Sequence, residues 1–280
     1  MELTGNRGLV GDGQQPVPQL ATNLNPCRAR AWTERPSSPI QFAVNSDWQT
    51  LLQAQAVRPD DAWVLLEGQA TVEAALAGWW DVAGVLLADD HPWNVPAWSG
   101  LEIRRLPAGE LRNLGDPARH GGLLGLAKVP AETPEVAALA KSLASGGLLV
   151  VCPRLRDPVL AGAVTRHAEI CGAAGILFGR ESASPFDPRS IATSAGAVFR
   201  LPVRVADGGV ILRGLKAAGV DLTGWEASAA PTGWNPPAGR RALVVGDPGH
   251  GLGPFWRAAC DRHGDGEWPQ LLTSLAAEAK

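Results

Sequence analysis

The sequence predicts an α/β protein built on a mainly parallel sheet, and three observations carry that prediction. Beyond residue 147, short apolar runs alternate with helix-length amphipathic stretches. Parallel strands joined by covering helices on both faces leave this pattern. A helix start is written clearly at Asp157-Pro158, because Asp caps the free amides of a first turn and Pro suits its first position. Finally, the apolar run ending at Gly246 passes straight into a glycine-rich turn and another helix.

Taken in order, residues 1–44 are rich in Gly, Asn, Gln, Pro and Ser without helical periodicity and are expected to form a poorly ordered extension. Ser46 suits the N-cap of a helix through Gln55. Strands are expected at 62–66, 82–88, 101–106 and 123–129, with a helix at 69–77, giving a small α/β domain over 45–130. Ala131 to Ala144 reads as a connecting helix stopped by Gly146-Gly147, so 131–146 is the linker. The larger domain is 147–280. Its strands are expected at 148–152, 174–178, 197–201 and 242–246, and its helices at 159–171, 188–195, 208–218, 254–260 and 269–279. Between Cys260 and Glu267 no strand-forming run is evident.

Composition bounds the function. A chain of 280 residues can bury a sizeable core, and no apolar run reaches the ~20 residues of a membrane helix. The net charge of −3 is mildly unfavourable for phosphate binding. It is unevenly placed, however: residues 146–280 hold 14 basic and 12 acidic side chains, residues 1–145 hold 11 and 16. An anionic ligand should therefore prefer the second half. Only four of the 25 basic residues are Lys, a bias that does not by itself argue for nucleic acid. The four cysteines lie far apart with no CxxC pair. Cys152 and Cys171 read as reduced core residues of a cytoplasmic protein, with no metal site. No basic-then-apolar leader precedes them, so export is not expected.

Two stretches could carry chemistry. The first is Gly246-Asp247-Pro248-Gly249-His250-Gly251-Leu252-Gly253, where a glycine turn permits close backbone approach and the next helix start favours an anion. Its spacing is neither the dinucleotide fingerprint nor a P-loop, and an ordinary tight turn accounts for it equally well. The second is the Asp157-Pro158 helix carrying Arg166 near a strand end, where open α/β sheets bind ligands; a solvated helix arginine is the simpler reading. No nucleophile or metal spacing surrounds His167 or His250.

Jointly, these pieces resemble the SpoU/TrmH-type branch of the SPOUT superfamily, RNA ribose 2′-O-methyltransferases. In the first domain the resemblance rests on Val64–Gly68, Thr71–Gly78 and Gly122–Ala127. In the second it rests on Asp157-Pro158 with Gly162–Ala168, then Gly172–Gly175, Ser194–Phe199, Leu201–Val203 and the turn 246–252. The resemblance implies a C-terminal trefoil-knotted α/β domain preceded by an L30e-like substrate-binding domain, and homodimerisation through the C-terminal domain. It implies S-adenosylmethionine as cofactor and rRNA or tRNA as substrate. By the same resemblance Arg166 is the catalytic residue, and Gly246, Asp247, Gly249, Gly251, Leu252, Gln270 and Leu271 would hold the cofactor.

The sequence also departs from the family pattern. Leu160 stands where Asn is usual, Ala192 where Arg is usual and Pro248 where Glu is usual, and Trp268-Pro269-Gln270 replaces Ser-Leu-Asn. A catalytically silent homologue, kept as an RNA-binding or protein-interaction dimer, is therefore the alternative. A remodelled small-molecule pocket lined by Trp225, Trp234, Trp256 and Trp268 is a third.

Overall fold

The computed structural model describes residues 63–78, 80–94, 101–114, 116–130, 133–144, 146–226, 239–264, 267–270 and 273. The expected extension over 1–44 and the helix at 46–55 lie outside the described residues. Within them, two sheets organise the chain. Strands β1 (Trp63–Glu67), β2 (Asp81–Ala88), β3 (Glu102–Leu106) and β4 (Leu123–Lys128) form a four-stranded sheet in the order β1-β4-β2-β3. β4 runs antiparallel to both β1 and β2, and β3 lies parallel to β2 at the edge. Helix α1 (Gln69–Ala77) covers it, and the short helices α2 (Ala108–Leu111) and α3 (Pro117–His120) fill its connections.

After α4 (Val136–Lys141) the sheet becomes wholly parallel. It comprises β5 (Leu148–Cys152), β6 (Gly175–Gly179), β7 (Val203–Ala206), β8 (Asp221–Trp225), β9 (Arg241–Val245) and β10 (Arg262–Gly264), in the order β10-β8-β9-β5-β6-β7. Helices α5 (Pro158–Ile170) and α6 (Pro188–Thr193) cover one face; α4, α7 (Gly208–Ala217) and α8 (Gly253–Ala259) cover the other. Alternation along each strand divides the core accordingly. Val150, Cys152, Ile176, Phe178, Leu243 and Val245 face α5 and α6, while Leu149, Val151, Leu177, Ala242 and Val244 face α7 and α8. Burial on both faces is why these strands are continuously apolar.

The apolar cluster under α5 continues into the four-stranded layer. Trp80 stands edge-on to Phe186 and Phe199, with ring centroids 5.5 and 5.1 Å away, a favoured aromatic geometry. Gly78 lies so close to Phe199 that a Cβ there would sit 2.6 Å from its carbonyl oxygen.

Several expectations need correction. The apolar stretch 197–201 is not a strand: Ala197–Phe199 is a single 3-10 turn entered through Gly196 at φ 81°, and the strand follows Pro202 as β7. β8 was not expected, because Asp-Leu-Thr-Gly-Trp shows neither a continuous apolar run nor alternation. β10 forms despite its polar sequence, by parallel pairing with β8. The helix expected over 131–144 is helical at Val136–Lys141. Of the last helix, residues 268–270 and 273 are helical and the remainder lies outside the described residues. Cys152 is fully buried as expected, whereas Cys171 is only half-buried. No described helix is long and apolar enough to cross a membrane.

The tightest helix contact is between α5 and α6, at Gly162. A Cβ at this position would fall 2.0 Å from Thr193 Oγ1 and 2.2 Å from the Ser190 carbonyl oxygen. Backbone cannot yield as a flexible side chain does, so Gly162→Ala is expected to cost about 3 kcal/mol, the upper part of the usual overpacking range. Equilibrium denaturant unfolding measures it; a loss below about 0.5 kcal/mol contradicts this packing.

Candidate functional site

The site grows from the C-terminal ends of β8 and β9, an edge at which open α/β sheets bind ligands. β9 ends in Gly246, which admits no side chain: a Cβ would lie 2.8 Å from Trp225 O and 2.9 Å from the Gly251 carbonyl carbon. The chain then turns through Asp247–Leu252 into α8, with Gly251 at φ 64°.

Asp247 is the organiser of this turn. Its side chain is nearly buried and accepts from Gly249 N at 3.0 Å, His250 N at 3.1 Å, His250 Nδ1 at 2.9 Å and Arg156 N at 3.1 Å. Burial raises its pKa, but the hydrogen bonds from His250, Arg156 and Gly249 outweigh burial and hold the carboxyl below the usual range. Glu226, immediately after β8, is the second organiser. It accepts from Leu252 N at 2.9 Å and pairs with Arg257 Nη2 of α8 at 2.9 Å. Burial opposes its ionisation, and the Leu252 amide and Arg257 more than compensate, so its pKa is also lowered.

Gly246 N donates to Trp225 O, Asp247 N to Gly251 O, and Gly251 N to Asp247 O. Gly249, His250 and Leu252 donate to the two carboxylates, and Pro248 has no N–H. Every backbone donor from 246 to 252 is therefore engaged within the protein.

The structure gathers Gly246, Asp247, Gly249, Gly251 and Leu252 into this one turn. Arg166 lies two turns into α5, exposed, and makes no hydrogen bond or ion pair among the described residues. Its neighbour His167 joins α5 to the final helical segment: Nε2 lies 3.0 Å from Pro269 O and 3.2 Å from Thr273 Oγ1, and the ring meets Trp268 edge-on at 5.4 Å. Gln270 is exposed on that segment; Leu271 lies outside the described residues. Leu160, in the place of the usual Asn, packs against the apolar cluster, and Ala192 is exposed. Of the tryptophans considered for a remodelled pocket, Trp225 belongs to that cluster and Trp268 packs against it, while Trp234 lies outside the described residues. Trp256 is almost fully buried and touches a cleft of about 390 Å³ that shares Leu252 with the turn and is lined also by Arg154, Arg180, Asp207 and Gly208.

Sequence reasoning missed Glu226, Arg156 and Arg257. Glu226 was invisible because β8 was, and Arg156 because it meets Asp247 through its backbone amide, which no residue type announces. Among the described residues no group of His, Cys, Asp or Glu could hold a metal.

Because the Asp247 pKa is depressed by native contacts, its contribution to stability is present above the ordinary Asp value and is lost as pH falls through the folded one. Asp247→Asn should therefore lower stability by about 1.5–3 kcal/mol at pH ~7, the worth of hydrogen bonds to a charged group. The difference should shrink below pH ~4, the ordinary Asp range. Unfolding titrations of both proteins across this range test the sign; a gap that widens in acid contradicts it.

Residues 147–265 match the family model of the SpoU rRNA Methylase family. An uncharacterized tRNA/rRNA methyltransferase of Mycobacterium sp. (strain KMS) is 31% identical over 182 residues, covering 60% of this chain and 55% of that protein. The chain thus spans about half the length of the mycobacterial relatives it matches. The 23S rRNA (uridine(2479)-2′-O)-methyltransferase of Streptomyces viridochromogenes is 25% identical over 234 residues, covering 76% of this chain and 78% of that protein. The structure of the SpoU methyltransferase AviRb from Streptomyces viridochromogenes, in complex with the cofactor AdoMet, superposes with a TM-score of 0.68 at 20% identity, over 84% of this chain and 97% of that one. That likeness establishes the α/β fold. Over residues 147–265, then, the chain is similar to the SpoU rRNA Methylase family.

Proposed function

We propose that this protein is an RNA ribose 2′-O-methyltransferase that uses S-adenosylmethionine. The observation that carries the reading is a convergence on the family-matched segment. The approach to α5 meets the glycine turn through Arg156 and Asp247, and α5 meets the final helical segment, just beyond the matched residues, through His167 and Pro269. A second domain of L30e-like fold over 45–130, a linker at 131–146, a trefoil knot within 147–280, homodimerisation through that domain and a cytoplasmic location belong to the same proposal.

The residues present fit the cofactor in one orientation. With all turn donors engaged, what the turn offers is carbonyl oxygen and the negative charge of Asp247. That suits the amino group of an adenine and the cationic sulfonium and ammonium groups, and does not suit a carboxylate. Gly246, Asp247, Gly249, Gly251, Leu252, Gln270 and Leu271 would hold the molecule, which supplies a methyl group activated on sulfonium sulfur. The chain then has to align a ribose hydroxyl with that methyl, a task of proximity and orientation. Arg166 anchors the phosphate beside the reacting ribose, by charge and by its fork of donors. An arginine does not give up its proton in a protein, so Arg166 is not the acceptor for the hydroxyl proton.

One observation favours the second reading, a silent homologue retained as an RNA-binding dimer. The turn is hydrogen-bonded to itself and to Glu226, and Leu160 and Pro248 replace polar family residues.

Calorimetric titration with S-adenosylmethionine separates the two. Micromolar binding is expected; a folded protein that gives no heat would exclude the enzyme. Given binding, Arg166→Ala should reduce methyl incorporation into RNA by roughly 100-fold or more, the scale for one preorganised transition-state contact. Unchanged incorporation would refute its role.

A further inference from the structure

The turn carries a histidine, His250, to which the resemblance assigns no role. His250 Nδ1 lies 2.9 Å from Asp247 Oδ1, and its Nε2 lies 3.3 Å from Arg156 Nη1. A guanidinium only donates, so Nε2 must be the accepting nitrogen and Nδ1 must carry the proton given to Asp247. Two groups thereby fix one tautomer of one imidazole. The carboxylate behind it is nearly buried, whereas the imidazole is 59% exposed, open to a ligand. A buried carboxylate that orients a histidine and stabilises the imidazolium is the arrangement of a general base.

The charged groups facing this imidazole are Asp247 from its own turn and Arg156 from the segment before α5. Behind the turn, Glu226 at the end of β8 is paired with Arg257 of α8. Arg156 is exposed, and its guanidinium stands next to the accepting nitrogen. A base and a guanidinium side by side match two groups that are neighbours in RNA: a ribose 2′-hydroxyl and the 3′-phosphate of the same nucleotide.

We propose that His250, oriented by Asp247 and flanked by Arg156, recognises the ribose 2′-hydroxyl of the RNA and accepts its proton. The chemical step rests on the methyltransferase reading; the ribose contact rests on the geometry alone. In that step the O–H bond breaks and its proton passes to Nε2. The oxygen lone pair forms the new C–O bond to the methyl carbon, and the C–S bonding pair stays with the sulfur of the S-adenosylmethionine. Arg156 turns from Nε2 to the phosphate when the nucleotide enters, which frees the lone pair.

Two measurements test this. The first needs no cofactor and no turnover. The His250 ring resonances are followed by NMR while uridine 3′-monophosphate, or its 2′-deoxy counterpart, is added to the full chain. A shift with the ribonucleotide that is at least several-fold larger than with the deoxynucleotide, and that is weakened in Arg156→Ala, is expected. No shift, or the same shift with both, overturns the ribose contact.

The second measurement is methyl transfer from labelled S-adenosylmethionine to total RNA of a gene-deletion strain, across pH. His250→Gln should lower the rate by roughly 100- to 10,000-fold, the range for general-base catalysis, and should abolish the acid limb of the wild-type profile. S-adenosylmethionine affinity should be unchanged. A variant as active as wild type, with the same pH profile, overturns the proton-accepting role. If S-adenosylmethionine does not bind but the ribose-selective shift is seen, the methyltransferase reading fails and the ribose site stands. If it binds and the shift is missing, the converse holds.

Discussion

The carboxylate of Asp247 is the constraint on which the site depends. One nearly buried group accepts from two amides of its own turn, from the imidazole of His250 and from the amide of Arg156, 91 residues earlier in the sequence. A buried carboxylate without such partners would lose far more in desolvation than it could regain, and would protonate instead. Satisfied in this way, it fixes the turn, joins the end of β9 to the approach to α5, and sets the orientation of His250. Glu226 does the same from the other side, tying the end of β8 to the entry of α8.

This double closure changes what a glycine-rich turn can do. Strand–turn–helix units that bind phosphate do so with free amides and the helix dipole. Here the amides of residues 246–252 are spent on two carboxylates and on backbone carbonyls of the protein, which leaves oxygen atoms and negative charge at the turn. Positive charge stands beside the turn on Arg156, which is exposed. Under the proposed function, a cationic, amino-bearing cofactor and an anionic nucleic acid would then not compete for the same donors.

The sequence made the frame of this arrangement readable where side chains announce the backbone. The Asp157-Pro158 cap located α5, and the glycines after 245 located the turn, because each residue type has a conformation of its own. Gly162 was placed among the family motifs, and the structure gives its reason: the near-contact of α5 with α6. Legibility failed where the determinant is a partner distant in sequence. β8, with Asp221, Thr223 and an internal Gly224, is held by parallel pairing to β9 on one side and β10 on the other. β10 is three polar or small residues that pair only because β8 is there. The run at 197–201 has strand composition, yet it closes into a 3-10 turn because Ala195 and Gly196 both take left-handed conformations just before it. Glu226 and Arg156 could not be found by spacing, since each meets the turn across a gap of many residues.

Amide hydrogen exchange at Gly249, His250 and Leu252 in the ligand-free protein tests the central claim most directly. If the two carboxylates hold these donors, all three amides exchange slowly. Asp247→Asn should then release Gly249 and His250 selectively, and Glu226→Gln should release Leu252. Exchange at the rate of an unstructured chain in the wild type, or protection untouched by either substitution, would contradict the account.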